Sequence, residues 1–298
     1  MVKVLVIGGG GFIGSHVADR LTEEGYEVTI FDIVHSKYLA NNQKMIVGNI
    51  TDREALDEAI SGVEIVYHFA AIADISESKK DPVQCVNYNV LGTINILEAC
   101  RKFKIKRFVF SSSIYVYSQH GSFYRSTKQA CELLIQNYSD EFNLDFTILR
   151  YGSLYGSRAN NFNFIHKSIE QALLEGKIER KGDGSEVRDY INVIDASKAS
   201  VKALDKKYKN SFLMVSGHQS IKINDLLFMI KEIMDGSIEI IYKKGSLEAH
   251  YQITPYNFKP NIAKKISIED SYELGQGILE TIYSIHQDLL KTGKIHKK

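Results

Sequence analysis

Short apolar runs recur through the first half of the chain, at 2–7, 28–31, 45–47, 63–70, 108–110 and 146–149. Each has the length of a strand, and the first is apolar at nearly every position, as in a strand buried on both faces. Helical patterns lie between most of them, at 14–23, 53–61, 82–103 and 124–141. Such alternation implies βαβ units, hence a parallel sheet with helices on both faces. After Tyr151 the rhythm changes. Segments 162–175, 195–204, 223–234 and 268–285 look helical, while 190–193, 212–215 and 238–242 look like strands. No internal repeat or low-complexity linker interrupts them. The pattern predicts an α/β fold: a doubly wound, Rossmann-like parallel sheet with a smaller C-terminal α/β lobe. The expected division is 1–156 for the sheet domain, with 188–210 threading back into it, and 157–298 mainly for the second lobe. A cleft between lobes is a natural small-molecule site.

The first strand runs directly into Gly8, Gly9, Gly10 and Gly11, followed by Phe12, Ile13 and Gly14 at the start of a helix. Glycine permits backbone angles closed to other residues, and its missing side chain lets a pyrophosphate approach the main chain. The helix N-terminus adds free N–H groups and partial positive charge. A second strand, 27–31, ends at Asp32, about twenty residues past the glycines, where an acid meets a ribose 2′-hydroxyl. Strand, loop, helix, strand and acid in that order predict a dinucleotide site. Asp32 would repel a 2′-phosphate and favours NAD, although His35 and Lys37 stand close by.

Composition narrows the remaining classes. The 298 residues are 44% hydrophobic, ample for a sizeable core, and the formal charge of +1 offers no basic field for nucleic acid or an anionic membrane. No apolar run has the length of a membrane span, and the first strand begins at Val2, so no signal peptide is expected. Cys85, Cys100 and Cys131 form no CxxC pair and read as buried free thiols in a reducing compartment. No His/Cys/Asp spacing suggests a metal site. The expectation is a soluble cytoplasmic protein.

Candidate chemistry sits after the strand at 108–110. Ser111, Ser112 and Ser113 place hydroxyls at its carboxyl end, and Tyr124 and Lys128 follow, four apart on one helical face. A phenol is a poor base at neutral pH, but an adjacent ammonium and a positive nicotinamide favour the phenolate. Tyr124 would take the proton of a substrate alcohol while hydride leaves the same carbon. Ser113 would hydrogen-bond the reacting oxygen, and Lys128 would also hold the nicotinamide ribose.

Taken together, these residues resemble the extended short-chain dehydrogenase/reductase family, within it the NAD-dependent nucleotide-sugar epimerase/dehydratase branch, over most of the chain. Gly8, Gly11 and Gly14 match its GxxGxxG. Asn49 and Ile50 fall where relatives touch adenine, Phe69, Ala70 and Ala71 where a strand end runs under the cofactor, and Asn89 in an NVxGT segment. Ser113, Tyr124 and Lys128 take the triad positions, with Ser111 and Tyr151 beside the cofactor. Leu149 to Gly156 resembles an LRYxNxYG turn carrying Ser153. Arg188, in a block like GDG…RDY, would bind the diphosphate of a UDP-sugar by bidentate hydrogen bonding.

Departures sharpen that picture. Branch members that dehydrate or decarboxylate carry an acid just after the catalytic Ser/Thr; Ile114 and Tyr115 stand there. Asn192 replaces the histidine of fucose-synthase-like reductases, Ser153 replaces an asparagine, and Lys259 stands roughly where an Arg-Pro-Gly-Asp segment is missing. Tyr115 and Tyr117 read equally as core packing or as neighbours of the substrate. The resemblance implies C4 epimerisation of a nucleotide sugar with bound NAD recycled. The alternatives are an NAD(P)H-dependent 4-ketoreductase and a non-catalytic dinucleotide sensor. Apolar residues on more than one side of 82–103 and 124–141, for example Val86, Val90, Leu91, Ile94 and Leu97, then Leu133, Leu134 and Ile135, imply a homodimer through a four-helix contact.

Overall fold

Strand β1 (Lys3–Ile7) shows how the sheet is built. Leu5 and Ile7 enter one core with Phe31, Ile96, Phe108 and Ile148, while Val4 and Val6 enter another with Ile30, Tyr67, Val109 and Leu149. Side chains alternate across a strand, so a sheet covered on both faces requires an unbroken apolar run. The computed structural model describes residues 1–234, 236–245 and 250–256, with 282, 286 and 290–292.

In chain order β1 is followed by α1 (Phe12–Glu23), β2 (Glu27–Asp32), β3 (Lys44–Val47), α2 (Arg53–Ile60), β4 (Ile65–His68), α3 (Ile75–Lys80), α4 (Pro82–Val86) and α5 (Gly92–Lys102). Then come β5 (Arg107–Ser113), α6 (Ser122–Phe142), β6 (Phe146–Tyr151), β7 (Ser153–Tyr155), α7 (Phe164–Glu175), β8 (Lys177–Lys181), β9 (Val187–Asn192), α8 (Val193–Lys202), β10 (Ser211–Val215), β11 (Ser220–Lys222), α9 (Ile223–Ile233) and β12 (Glu239–Lys243). The seven-stranded sheet has the order β10-β6-β5-β4-β1-β2-β3, and all its pairings are parallel. Strand order reverses between β1 and β4, so a crevice opens at their carboxyl ends. The fold is therefore the doubly wound α/β sheet that the apolar pattern implies.

Two details place the site. The span 82–103, read as one helix, contains a π-helical turn at Asn87–Leu91 between α4 and α5. The Asn89 carbonyl in that turn accepts from the Thr93 hydroxyl (2.6 Å) and the Cys131 thiol (3.0 Å), so side chains satisfy it. In β5 the strand extends through Ser113, pairing Ser112 with Arg150 and Ser113 with Tyr151 of β6.

Contacts divide the chain into two compact units, Met1–Lys259 and Pro260–Lys298. Within the first, α8 and β10 return to the large sheet, β10 as its edge strand beside β6. The sequence pattern predicts a return over 188–210, and β10 follows directly after it. A third core, with Ile165, Ala172, Ile178, Ile223, Leu227 and Ile238, gathers α7, α9, β8 and the entry to β12. In the second unit Ile282, His286, Leu290 and Lys291 are helical, and the expected helix at 268–285 otherwise lies outside the described residues. Among the described residues no helix is long and apolar enough to cross a membrane.

Candidate active site

The glycine loop is held by main-chain contact. Gly8 adopts φ +78°, and a Cβ there would lie 2.4 Å from the Ala70 nitrogen, so the loop packs directly on the turn after β4. A Cβ on Gly14 would strike the Gly8 carbonyl at 2.2 Å, which seats α1 against the loop. Gly11, by contrast, is the N-cap of α1 without any side-chain cap, and a Cβ there would meet only the Gly8 carbonyl at 3.3 Å. The first-turn donors of α1 thus face open space, where an anion is favoured.

That space divides into two adjoining cavities of about 410 and 360 Å³, which share Gly8, Gly11, Phe69 and Ala71. Asp32, Ile50 and Ala70 line the larger one. Asp32 accepts from the Gly10 and Ile33 amides at 2.9 and 2.8 Å, fixing its carboxylate at the rim. The smaller cavity extends past Phe12, Ile13 and Gly14 to Ser111, Ser113, Tyr124, Lys128 and Tyr151. A trough with a Cβ-free floor, uncapped N–H donors at its middle and a carboxylate at one end fits an extended dinucleotide such as NAD.

Two expected cofactor contacts, Asn89 and Asn49, are not among the residues lining either cavity. The buried Asn89 amide accepts from the Ile72 N–H (2.8 Å) and donates to the Ile72 carbonyl (3.1 Å) and Thr127 (3.0 Å). Two of these bonds fix Ile72 in the turn that follows Phe69, Ala70 and Ala71, and the third ties Asn89 to α6. Asn49 accepts from the Thr51 N–H (3.0 Å) and donates to the Tyr88 hydroxyl (3.4 Å), so it shapes the chain beside Ile50.

Tyr124 lies in the first turn of α6 and lines the smaller cavity together with Ser113 at the end of β5. Burial pushes the phenol up to about 12, with Ser113 pulling the other way. One turn later the Lys128 ammonium donates to the Ser111 carbonyl (2.7 Å) and lies 4.6 Å from the Phe110 ring centroid and 5.8 Å from that of Tyr124. Burial brings Lys128 down to about 8, opposed chiefly by Cys131 and Glu132, so it remains largely an ammonium at neutral pH. Phenol, hydroxyl and ammonium therefore meet at the mouth of the trough.

Arg188 and Ser153 gather around a different set of groups. Arg188 is buried, with its guanidinium carbon 4.2 Å from the Tyr251 ring centroid, and it donates to the carbonyls of Val187 (3.0 Å) and Gln252 (3.3 Å). Ser153 Oγ is 3.4 Å from the Tyr251 hydroxyl. Tyr115 joins the two groups. It lines the smaller cavity, meets Tyr124 edge-on at 6.3 Å, packs on Tyr251 at 4.9 Å and shares a 2.6 Å hydrogen bond with His250 Nδ1. Sequence reasoning missed His250 and Tyr251, which carry no motif. Lys259 lies outside the described residues.

A Rossmann-type sheet bearing a Ser-Tyr-Lys cluster beside a trough that fits a dinucleotide defines a scaffold for NAD-dependent chemistry. The NAD dependent epimerase/dehydratase family model matches residues 4–213, and the chain belongs to that family. Its relatives include the UDP-glucose 4-epimerase of Rhizobium meliloti, 30% identical over 283 residues, covering 81% of this chain and 82% of that protein. The UDP-N-acetyl-alpha-D-glucosaminuronate decarboxylase of Bacillus cytotoxicus is 28% identical, covering 94% and 96%. Among solved structures, the UDP-glucuronic acid 4-epimerase of Bacillus cereus, in complex with UDP-glucuronic acid and NAD, superposes with a TM-score of 0.79 at 26% identity, covering 88% and 95%.

Proposed function

We propose that this chain interconverts C4 epimers of a nucleotide-activated sugar, a UDP-sugar as in UDP-glucose 4-epimerase, with NAD bound and recycled. The observation that carries the reading is the meeting of Ser113, Tyr124 and Lys128 in a cavity continuous with the glycine trough, with no carboxylate directly after Ser113. Dehydration needs a second acid or base on the sugar at that point, and Ile114 is buried hydrocarbon.

Tyr124 takes the proton of the C4 hydroxyl, Ser113 hydrogen-bonds the same oxygen, and the Lys128 ammonium favours the phenolate. NAD, when bound, supplies the acceptor for the C4 hydrogen and a positive charge that lowers the phenol further. The 4-keto sugar turns about its phosphate linkage, and Tyr124 returns the proton with the hydrogen delivered to the other face. Arg188 holds the diphosphate through its guanidinium fork, with Ser153 on its flank and Lys259 as a second charge. The cofactor contacts proposed on the trough are Gly8, Gly11, Phe12, Ile13, Gly14, Asp32, Ile50, Phe69, Ala70, Ala71, Ser111 and Tyr151, with Tyr124 and Lys128.

Three coarser features join the reading. Residues 1–156 with the returning α8 and β10 form the NAD-binding domain, and the third core belongs to the sugar-nucleotide lobe. The exposed Val86, Leu91, Phe123 and Leu133 on α4, the π turn and α6 support a homodimer through these helices. Buried, unpaired Cys85, Cys100 and Cys131 support a cytoplasmic setting.

The test is to purify the protein, assay it for retained NAD, and incubate it with UDP-glucose, UDP-galactose and related UDP-sugars without added cofactor. Interconversion of C4 epimers with no net change in NAD is the expected result. Turnover only with added NADH or NADPH, yielding a reduced sugar, would instead assign a 4-ketoreductase.

A further inference from the structure

Glu132 is a carboxylate that the mechanism above does not use, yet it is buried one turn past Lys128 on α6, its side chain 7% exposed. It accepts the Ser112 hydroxyl at 2.5 Å and both ends of the Arg150 fork, Nε at 3.0 Å and Nη2 at 2.6 Å. Arg150 also donates to the Tyr117 hydroxyl and lies between the Tyr117 and Phe212 rings, at 4.7 and 4.6 Å from their centroids. Ser112 and Arg150 are direct cross-strand partners in β5 and β6. One carboxylate therefore fastens α6, which carries Tyr124 and Lys128, to the strand ends that carry Ser111, Ser113 and Tyr151.

A buried ion pair is weak evidence of stabilisation, since apolar residues of similar volume commonly serve as well. Its placement here points to another role. Ser112 is flanked by the Ser111 carbonyl that receives Lys128 and by the Ser113 hydroxyl that meets Tyr124. Sliding α6 along the sheet would part both contacts at once, and a displacement of about 1 Å can cost a hundredfold in rate. We propose that Glu132, clamped by Arg150 and Ser112, is a positioning residue that sets α6 in register with β5 and thereby fixes Tyr124 and Lys128 over Ser113.

The carboxylate also carries charge toward Lys128. The groups facing that ammonium are Tyr124, Cys131 and Glu132 on α6, Cys85 on α4, His68 on β4, and the Ser111 carbonyl and Phe110 ring on β5. Of these Glu132 is the carboxylate, and it favours the ammonium. Its removal makes deprotonation easier, so the alkaline limb of the pH–rate profile moves to lower pH.

The inference rests on the epimerase reading, so wild type and Tyr124→Phe are assayed beside Glu132→Gln, Glu132→Gln/Arg150→Met and Ser112→Ala. An inert wild type sinks the functional reading; an active wild type leaves the positioning role to the variants. Glu132→Gln is expected to lose about thirtyfold or more in kcat, with KM within about threefold and the alkaline limb lowered. The double variant removes the unpaired guanidinium and is expected to regain the wild-type melting midpoint without regaining the rate or the alkaline limb. Ser112→Ala deletes one link of the clamp and is expected to lose about threefold to tenfold in kcat at an unchanged midpoint. If Glu132→Gln fails to fold, Ser112→Ala decides alone. Unaltered kcat in Ser112→Ala, an unaltered pH profile in Glu132→Gln, or full recovery of rate with midpoint in the double variant overturns the proposal.

Discussion

The glycine trough and the Arg188 cluster are the two regions to which the proposed function assigns phosphate, but they are built from different materials. The trough is made of main chain: Gly8 pressed on Ala70, Gly14 on Gly8, and the open N-terminus of α1. The Arg188 cluster is made of side chains drawn from separate stretches, with Arg188 under Tyr251, Ser153 beside it and Tyr115 joined to His250. Main-chain sites tolerate no added atoms and leave a compact signature in the sequence. Side-chain sites leave a scattered one: Arg188 and Ser153 stand at motif positions, while His250 and Tyr251 stand at none.

Perturbations should separate the two regions by size of effect. The chemistry between them comes first: Tyr124→Phe is expected to lower turnover by about a thousandfold while NAD content after purification stays at the wild-type level. Normal turnover in that variant would remove the proposed base. Next, Gly8→Ala puts a Cβ into the Ala70 backbone at a positive φ, and a cost of about 2–3 kcal/mol with loss of bound NAD is expected in thermal melts and cofactor assays. Wild-type stability with full cofactor would show that the loop is not packed as described. On the other side of the comparison, Arg188→Lys should keep charge but lose the fork, raising KM for a UDP-sugar by about tenfold with little change in kcat.

A smaller effect has a definite sign. Lys128 falls from 10.5 to about 8 on folding, because burial disfavours its ammonium. In that interval the unfolded chain binds more protons at this site, so its contribution to stability rises with pH. If the ammonium acts as proposed, activity should fall over the same interval. The stability advantage of Lys128→Met over wild type is accordingly largest near neutrality and shrinks as pH climbs past about 8. A constant difference across that range would contradict the depressed value.

What the amino-acid sequence revealed follows the same division. Strands β1 to β6 are visible as apolar runs because both sheet faces are covered, and the glycines announce the trough. The interruption at Asn87–Leu91 leaves no mark in the apolar spacing, although Thr93 and Cys131 both bond the Asn89 carbonyl within it. Strand β8 escapes notice because its second inward residue is Arg180, buried against Glu186 at 2.8 Å, which disguises the alternation. Asn89 and Asn49 were identifiable as special positions, yet their amides are engaged by main chain and neighbouring hydroxyls, a distinction that no residue pattern carries. His250 and Tyr251 acquire meaning only when the fold brings them to Tyr115 and Arg188.

The most direct measurement uses UDP-glucose carrying deuterium at C4, given to the purified protein with no added cofactor. If Tyr124, Ser113 and Lys128 act as proposed, the 4-epimer forms with deuterium retained at C4 and none in water. Release of the label to solvent, or recovery of unchanged substrate from protein that holds NAD, would contradict the account.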